Sequence, residues 1–370
     1  MKLAGAIIGY GFISSHGHVP SYLERSKKIG DVDIVAVADI CEARRILAKK
    51  ALPFARIYES YEELLKHEAG NLDFVDISTP PSDHSKIAHA ALNSGLHVLC
   101  EKPLTTNLND ARELLAHARR AKRVLFPVHN YKYAPVIKTI REVIGTGQIG
   151  EVRGITLSTF RNTHAKGVNE WNTHWRRSHS LSGGGIAMDH GSHSFYLMFD
   201  WMNNYPSSIS AKMSNLSDKK YDTEDNCSAV LTFPNGLAHC HLTWTAGVRK
   251  VIYTIQGSSG AITVDDDEIQ ISLQHKTTGP DIAPGFGPVT WKTEKRNISS
   301  NWMDASHVSW FNALFEDFKL AIDQDDFVGR EAEEAYRCIE IITRAYESSK
   351  KGCAELTLDG LSRSQTQETI

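Results

Sequence analysis

The chain has 370 residues, with 41 lysines and arginines against 44 aspartates and glutamates, for a net charge of -3. That length exceeds one ordinary hydrophobic core, so two domains are expected. Apolar residues make up 41% and charged residues 23%, which excludes a disordered chain, and without a basic block the electrostatic footprint of a nucleic-acid binder is missing.

No stretch is long and apolar enough to span a membrane. The opening run Met1–Ile8 is interrupted by Gly9 and Gly11 and reads as a strand, not a leader peptide. The 6 cysteines are scattered without a Cys-x-x-Cys, which suits a reducing compartment. A cytoplasmic location is expected, with neither a membrane nor nucleic acid as partner.

From the N-terminus the chain alternates strand and helix signals. Apolar runs at Leu3–Ile8, Ile34–Ala38, Phe74–Ser78, Val98–Leu99 and Val124–Val128 predict strands. Helix-like segments lie between them at Glu42–Lys50, Tyr61–Lys66, His84–Ser94 and Leu108–Ala121. Asp83 is the expected cap of the third helix, and Asn107 or Asn109 of the fourth. Strands alternating with helices predict a doubly wound parallel sheet, an α/β Rossmann domain over residues 1–128.

The grammar changes after about residue 150. Arg153–Arg161 alternates as a strand should. Ser228–Phe233 and Leu237–Thr245 flank the turn Pro234-Asn235-Gly236, and Val251–Gln256 and Ala261–Val264 flank Gly257-Ser258-Ser259-Gly260. Glu268–Gln274 follows an acidic turn. Successive hairpins predict an α+β domain with a mostly antiparallel open sheet, spanning residues 129–352. The Gly- and Pro-rich stretch Thr277–Pro288 reads as a surface loop. Two long helices are expected at about 305–323 and 330–350, the second packing back on the first domain. Residues 353–370 form a terminal strand and a polar tail.

Gly9-Tyr10-Gly11-Phe12-Ile13-Ser14 follows the first strand and opens a helix. Gly9 permits the tight turn, Gly11 lets the backbone approach a pyrophosphate, and the helix N-terminus supplies N–H groups. Asp39 closes the second strand, where a carboxylate accepts from ribose hydroxyls and repels a 2′-phosphate. NAD is therefore favoured over NADP, although Arg44 and Arg45 stand nearby. Lys102, in Cys100-Glu101-Lys102-Pro103, sits at the carboxyl end of a buried strand, the edge where such sheets bind ligands.

The run Gly183-Gly184-Gly185 precedes Asp189 and His193, which share one face of a helix at i and i+4. Histidine is a natural proton acceptor when an alcohol loses hydride. Asp189, His190 and His193 lack a Glu or Cys partner at ligand spacing, so no metal is expected.

With these motifs in hand, the chain resembles the Gfo/Idh/MocA oxidoreductases over about residues 3–358. The likeness extends to Thr79-Pro80-Pro81-Ser82-Asp83-His84 and Gly147-Gln148-Ile149-Gly150-Glu151-Val152. The resemblance implies NAD(P)-dependent chemistry on a secondary alcohol of a sugar, cyclitol or related polyol, in a homodimer or homotetramer. It implies a catalytic trio of Lys102, Asp189 and His193, and cofactor contacts at Gly9, Gly11, Phe12, Ile13, Asp39, Thr79, Glu101 and Asn130.

His16 and His18 depart from that pattern. So does the cation- and aromatic-rich stretch Phe160–Arg177, where Arg161, Trp175 and Arg176 are the expected substrate contacts. It reads either as a recognition element for an anionic, phosphorylated or nucleotide-linked sugar, or as a solvated basic loop. Rival readings of the whole are an NAD-dependent glycosidase of the same fold and a non-catalytic dinucleotide sensor.

Overall fold

The computed structural model describes residues 2–276, 289–299, 302 and 306–358. The first sheet contains β1 (Leu3–Ile8), β2 (Val32–Ala38), β3 (Arg56–Tyr58), β4 (Phe74–Ile77), β5 (His97–Cys100) and β6 (Leu125–Pro127). Every pairing is parallel and the order is β3-β2-β1-β4-β5-β6. β3 escapes a reading by apolar runs because only three residues pair, and the first is arginine. The order reverses between β1 and β4, and a doubly wound sheet binds ligands in the crevice that opens there.

A π-helical turn, Ser14–His18, runs directly into α1 (Val19–Lys28). α2 (Glu42–Ala51), α3 (Tyr61–Glu68), α4 (Pro81–Asn93) and α5 (Leu108–Ala121) follow. α4 starts earlier than expected, because Pro80 is extended and Pro81 occupies the first helical position, where its missing N–H costs nothing. Asp83 is therefore not the cap but a first-turn residue, paired with Lys86 at 2.8 Å. Asn107 does cap α5, its side chain accepting from Asp110 N at 2.9 Å.

After α6 (Pro135–Gly145) the chain builds a second sheet from β7 (Val152–Phe160), β8 (Ser208–Ser214), β9 (Asn226–Phe233), β10 (Gly236–Thr243), β11 (Lys250–Gly257), β12 (Gly260–Asp265), β13 (Glu268–Lys276), β14 (Val289–Asn297) and β15 (Leu356–Thr357). The order is β14-β13-β12-β11-β7-β10-β9-β8-β15, antiparallel except where β10 meets β7. Pro234 and Asn235 alone join β9 to β10, and Asn235 Nδ2 donates to the carbonyls of Val152 and Met202, each at 3.1 Å.

The short helix α7 (His179–Ser182) precedes α8 (Ile186–Met202), and α9 (Val308–Asp323) precedes α10 (Arg330–Lys350). α8, with the later part of α10, covers one face of the second sheet through Phe195, Phe199, Trp201 and Ile342. The other face alternates out to solvent, with Val230 and Leu237 37% and 46% exposed among serines, threonines and histidines.

Although it follows the second sheet in sequence, α9 packs on the first. Its Phe311, Phe315 and Phe318 meet Leu3, Ile7, Phe74 and Phe126. The start of α10, with α4 and α5, covers the opposite face of that sheet. The expected loop at Thr277–Pro288 and the tail from Asp359 lie outside the described residues. No helix among the described residues is long and apolar enough to cross a membrane.

Candidate active site

The carboxyl ends of β1, β2, β4, β5 and β6 deliver Gly9, Asp39, Thr79, Glu101 and Asn130 to one cleft of about 690 Å³. Gly9 has φ +95°, and a Cβ there would lie 2.8 Å from Ser78 C and Thr79 N. A Cβ on Gly11 would meet nothing within 4 Å, so this backbone faces open space beside Phe12 and Ile13. Among the described residues, Thr79 Oγ1 and Asn130 Oδ1 are buried in the cleft wall without a hydrogen-bond partner. A buried polar atom left unpaired is costly. Two such atoms, with bare backbone at Gly11, fit a dinucleotide whose phosphates approach the turn and whose polar groups complete the wall.

At the ribose end, Asp39 accepts from Tyr10 N at 2.6 Å and from Cys41 N at 2.7 Å. Burial raises its pKa, against the pull of those two N–H groups and of Arg44. Neither nearby arginine is free. Arg44 donates to Tyr10 O at 2.6 Å and pairs with Glu170 at 3.4 Å, while Arg45 donates to Asp39 O at 2.9 Å and pairs with Glu59 at 3.1 Å. Glu170 comes from the long segment after β7, so this segment reaches across to the first domain. It places a second carboxylate, Glu170, against Arg44.

His18 is buried, as are Asp76 and Tyr22. Its Nδ1 lies 2.9 Å from Asp76 Oδ2, its Nε2 lies 3.3 Å from Glu101 Oε1, and its ring stacks on Phe311 at 3.9 Å. Burial alone would lower its pKa, but the two carboxylates outweigh it and raise the value to about 9. The imidazolium explains how a carboxylate is tolerated in the middle of β4. It also braces Glu101, whose other oxygen accepts from Lys102 N at 3.0 Å. His84 braces the neighbouring loop, its ring nitrogens 2.9 Å from Pro103 O and 2.8 Å from Thr79 O.

Lys102 Nζ donates to Asp189 O at 2.7 Å and to Asp189 Oδ1 at 3.1 Å. Burial opposes the Asp189 charge, but Lys102, Arg176 and His190 prevail and hold its pKa well below the usual carboxylate range. His193, one helical turn on, stacks against Tyr131 at 3.8 Å and bonds Tyr196 Oη through Nδ1 at 2.6 Å. Burial, with Lys102 and His190 beside it, holds its pKa well below 6.5, so the ring is neutral. Tyr131 and Tyr196 carry no motif that a sequence reading could use.

The three glycines before α8 answer to three different neighbours. A Cβ on Gly183 would lie 2.7 Å from Thr106, on Gly184 2.1 Å from Tyr346 Oη, and on Gly185 1.7 Å from Glu224 O. That clearance lets Glu224 reach the helix start, where its carboxylate accepts from Gly185 N and Ala187 N at 2.9 Å each. A buried carboxylate on the positive end of α8 fixes the helix that carries Asp189 and His193.

Arg161, Trp175 and Arg176 line the same cleft. Arg176 lies over the Trp175 ring at 4.2 Å, and its Nε is 3.5 Å from Asp189 Oδ1. The expected site residues thus converge on one place. The group of potential metal ligands found among the described residues, His129, Glu331 and Glu334, lies elsewhere. Lys132 Nζ donates to both of its carboxylates at 2.5 Å, so an ammonium already balances them.

A dinucleotide cradle at the switch point, with a lysine, a carboxylate and a neutral histidine beside it, defines an oxidoreductase that works with a bound nicotinamide cofactor. Comparison with known proteins places it further. Residues 3–129 match the oxidoreductase family with the NAD-binding Rossmann fold, and residues 137–263 match the GFO/IDH/MocA C-terminal domain. The chain belongs to the Gfo/Idh/MocA oxidoreductases and is an NAD-binding enzyme.

It is 30% identical over 204 residues to the 1,5-anhydro-D-fructose reductase of Ensifer adhaerens, covering 55% of this chain and 59% of that one. It is 26% identical over 298 residues to the trans-1,2-dihydrobenzene-1,2-diol dehydrogenase of Bos taurus, covering 77% and 82%. The structure of levoglucosan dehydrogenase in complex with NADH matches with a TM-score of 0.80 at 19% identity, over 98% of this chain and 100% of that one. At that identity the likeness is one of fold.

Proposed function

We propose that the chain is an NAD-dependent dehydrogenase or reductase acting on a secondary alcohol of a sugar, cyclitol or sugar derivative. The observation that carries this reading is the meeting of Lys102 with Asp189 one helical turn from a neutral His193, in the cleft that holds the dinucleotide cradle. The names of relatives that act on an anhydro sugar and a cyclic diol point the same way.

In the oxidising direction, His193 Nε2 accepts the hydroxyl proton, while Nδ1 stays on Tyr196. Lys102 Nζ points an ammonium at the oxygen as charge develops on it. Asp189 holds that ammonium in place. NAD, when bound, supplies the hydride acceptor. In the reducing direction the same groups return the proton. Gly9, Gly11, Phe12, Ile13, Asp39, Thr79, Glu101 and Asn130 hold the dinucleotide, and Arg161, Trp175 and Arg176 face the substrate. The open face of the second sheet is the surface through which a homodimer or homotetramer forms, and light scattering at micromolar protein checks it.

The test is to incubate the protein with NAD, and separately NADP, across a panel of sugars, cyclitols and sugar phosphates while following the absorbance of reduced nicotinamide. Substrate-dependent reduction of NAD is expected. Binding of NAD without reduction by any panel member, together with cleavage of a chromogenic glycoside, would replace the dehydrogenase with a glycosidase.

A further inference from the structure

The cations of the cleft are not equivalent. Lys102 and Arg176 share Asp189. Arg44 has Glu170, and Arg177, just behind the cleft, has Asp225 at 3.6 Å. Arg161 and Arg249 also line the cleft, and neither has a carboxylate within 4.0 Å among the described residues.

Arg161 follows β7 and is largely buried. Its Nη1 donates to Phe160 O at 2.7 Å and to Lys250 O at 3.2 Å, which fixes the guanidinium plane. Its remaining N–H groups have no acceptor among the described residues. Arg249 stands one residue before β11, the strand that pairs with β7, and is tied by Nη2 to Trp302 O at 2.9 Å. Burial and repulsion from Arg161 both lower the Arg249 pKa, with Asp266 and Tyr131 only partly offsetting them. Arg161 also depresses His190, in the first turns of α8, which burial and the neighbouring cations bring to about 3.

Two guanidinium groups, Arg161 fixed by two backbone carbonyls and the exposed Arg249 held by one, side by side where Lys250 pairs with Phe160 and facing the cavity of the proposed reaction, need an anion to complete them. The two carbonyls on Arg161 remove side-chain entropy that binding would otherwise cost, and the planar fork matches an oxyanion. A neutral polyol offers hydroxyls but leaves the repulsion in place.

We infer that Arg161 and Arg249 form a subsite for an oxyanion group of the substrate, so that the substrate class is an acidic sugar or polyol bearing a carboxylate or a phosphoryl group away from the reacting carbon. The inference rests on the dehydrogenase reading above and narrows it. It also gives the basic segment after β7 a division of labour. Arg176 serves Asp189, and the anion is read by Arg161 together with Arg249, a residue that no motif marks.

The test uses the NAD-loaded full chain and matched probes: D-gluconate, D-glucuronate and D-glucose 6-phosphate against D-glucose and myo-inositol. Binding is measured by calorimetry and thermal shift, and turnover by nicotinamide absorbance. At least one acidic probe is expected to bind tenfold or more tightly than its neutral counterpart, less so as salt rises. The carboxylate and phosphate arms identify which oxyanion fits. Arg249→Gln, at an exposed position, and Arg161→Lys, which keeps the charge but loses the fork, are each expected to cut that preference by tenfold or more.

The subsite is overturned if no acidic probe binds more tightly than its neutral partner, or if Arg249→Gln weakens both alike. Reduction of NAD by neutral probes only would sink the subsite and leave the dehydrogenase standing. Arginine-dependent binding of an acidic probe that never reduces NAD would keep the subsite and sink the dehydrogenase.

Discussion

Lys102 and Asp189, 87 residues apart, meet through two contacts, the lysine donating both to the backbone carbonyl and to the carboxylate of the same residue. The ammonium at the end of β5 is thereby locked to the first turns of α8, so the group proposed to stabilise substrate charge also ties the two domains across the cleft. Lys102→Ala is expected to lower turnover by about 10²- to 10⁴-fold, the range for losing a preorganised electrostatic group. NADH affinity, followed by nicotinamide fluorescence, should change little, because the cradle is built from other residues. Near-normal turnover in this variant would remove Lys102 from the chemistry.

His193 should remain a competent base well into acid. Its pKa is held below 6.5, chiefly by burial and then by Lys102 and His190, so the neutral ring persists as pH falls. The acid limb of kcat/KM for alcohol oxidation is therefore expected below pH 6.5. Tyr196→Phe takes away the partner of Nδ1, and a fall in turnover of about 10- to 100-fold is expected from the loosened ring. A limb centred above 6.5, unmoved in Tyr196→Phe, would assign proton transfer to another group.

His18 makes stability depend on pH in the alkaline direction. Its folded-state pKa is raised to about 9 from an unfolded value near 6.5, so the folded protein holds the proton more tightly. That contribution is complete below pH 6.5 and disappears as pH rises through 9. Denaturant unfolding at pH 6 and pH 9.5 should show the loss. His18→Gln should flatten this dependence and cost about 3–5 kcal/mol at pH 6, as expected when a buried ion pair loses one partner. An unchanged pH slope in the variant would contradict the assignment.

Two glycines separate folding from binding. Gly185→Ala would place a methyl 1.7 Å from Glu224 O and displace the cap of α8, so a large loss of melting temperature is expected. Gly11→Ala meets nothing within 4 Å and should melt as the parent does without cofactor, yet bind NAD at least about tenfold more weakly, since the methyl enters the pyrophosphate approach. Equal NAD affinity in Gly11→Ala would move the pyrophosphate elsewhere.

Asp39 and Glu170 are expected to set the preference for NAD over NADP. Asp39→Ser and Glu170→Gln together should narrow the ratio of kcat/KM for NAD over NADP by about tenfold or more, because each removes charge that repels a 2′-phosphate. A ratio unchanged in the double variant would leave the preference to other contacts.

Much of this was legible in the chain itself. Alternating strands and helices, the Pro234-Asn235 turn and the Asn107 cap follow from local periodicity and from backbone preferences that neighbours in sequence impose, while the grouping of Gly9, Asp39, Lys102, Asp189 and His193 into one site came from the family resemblance of the motifs that carry them. The three-residue β3, the strands β8 and β14 and the start of α4 at Pro81 were less legible, because short or polar pairing segments take their structure from a partner strand.

What only the tertiary structure decided are relations between residues far apart. The aromatic face of α9 returns to the first sheet, Tyr196 meets His193, and Glu224 caps α8. Arg176 is claimed by Asp189 while Arg161 and Arg249 are left without a carboxylate among the described residues. A sequence records which charges a chain carries. Which of them neutralise one another depends on sheet order and register, which bring the ends of β5, β7 and β11 and the start of α8 to a single cleft.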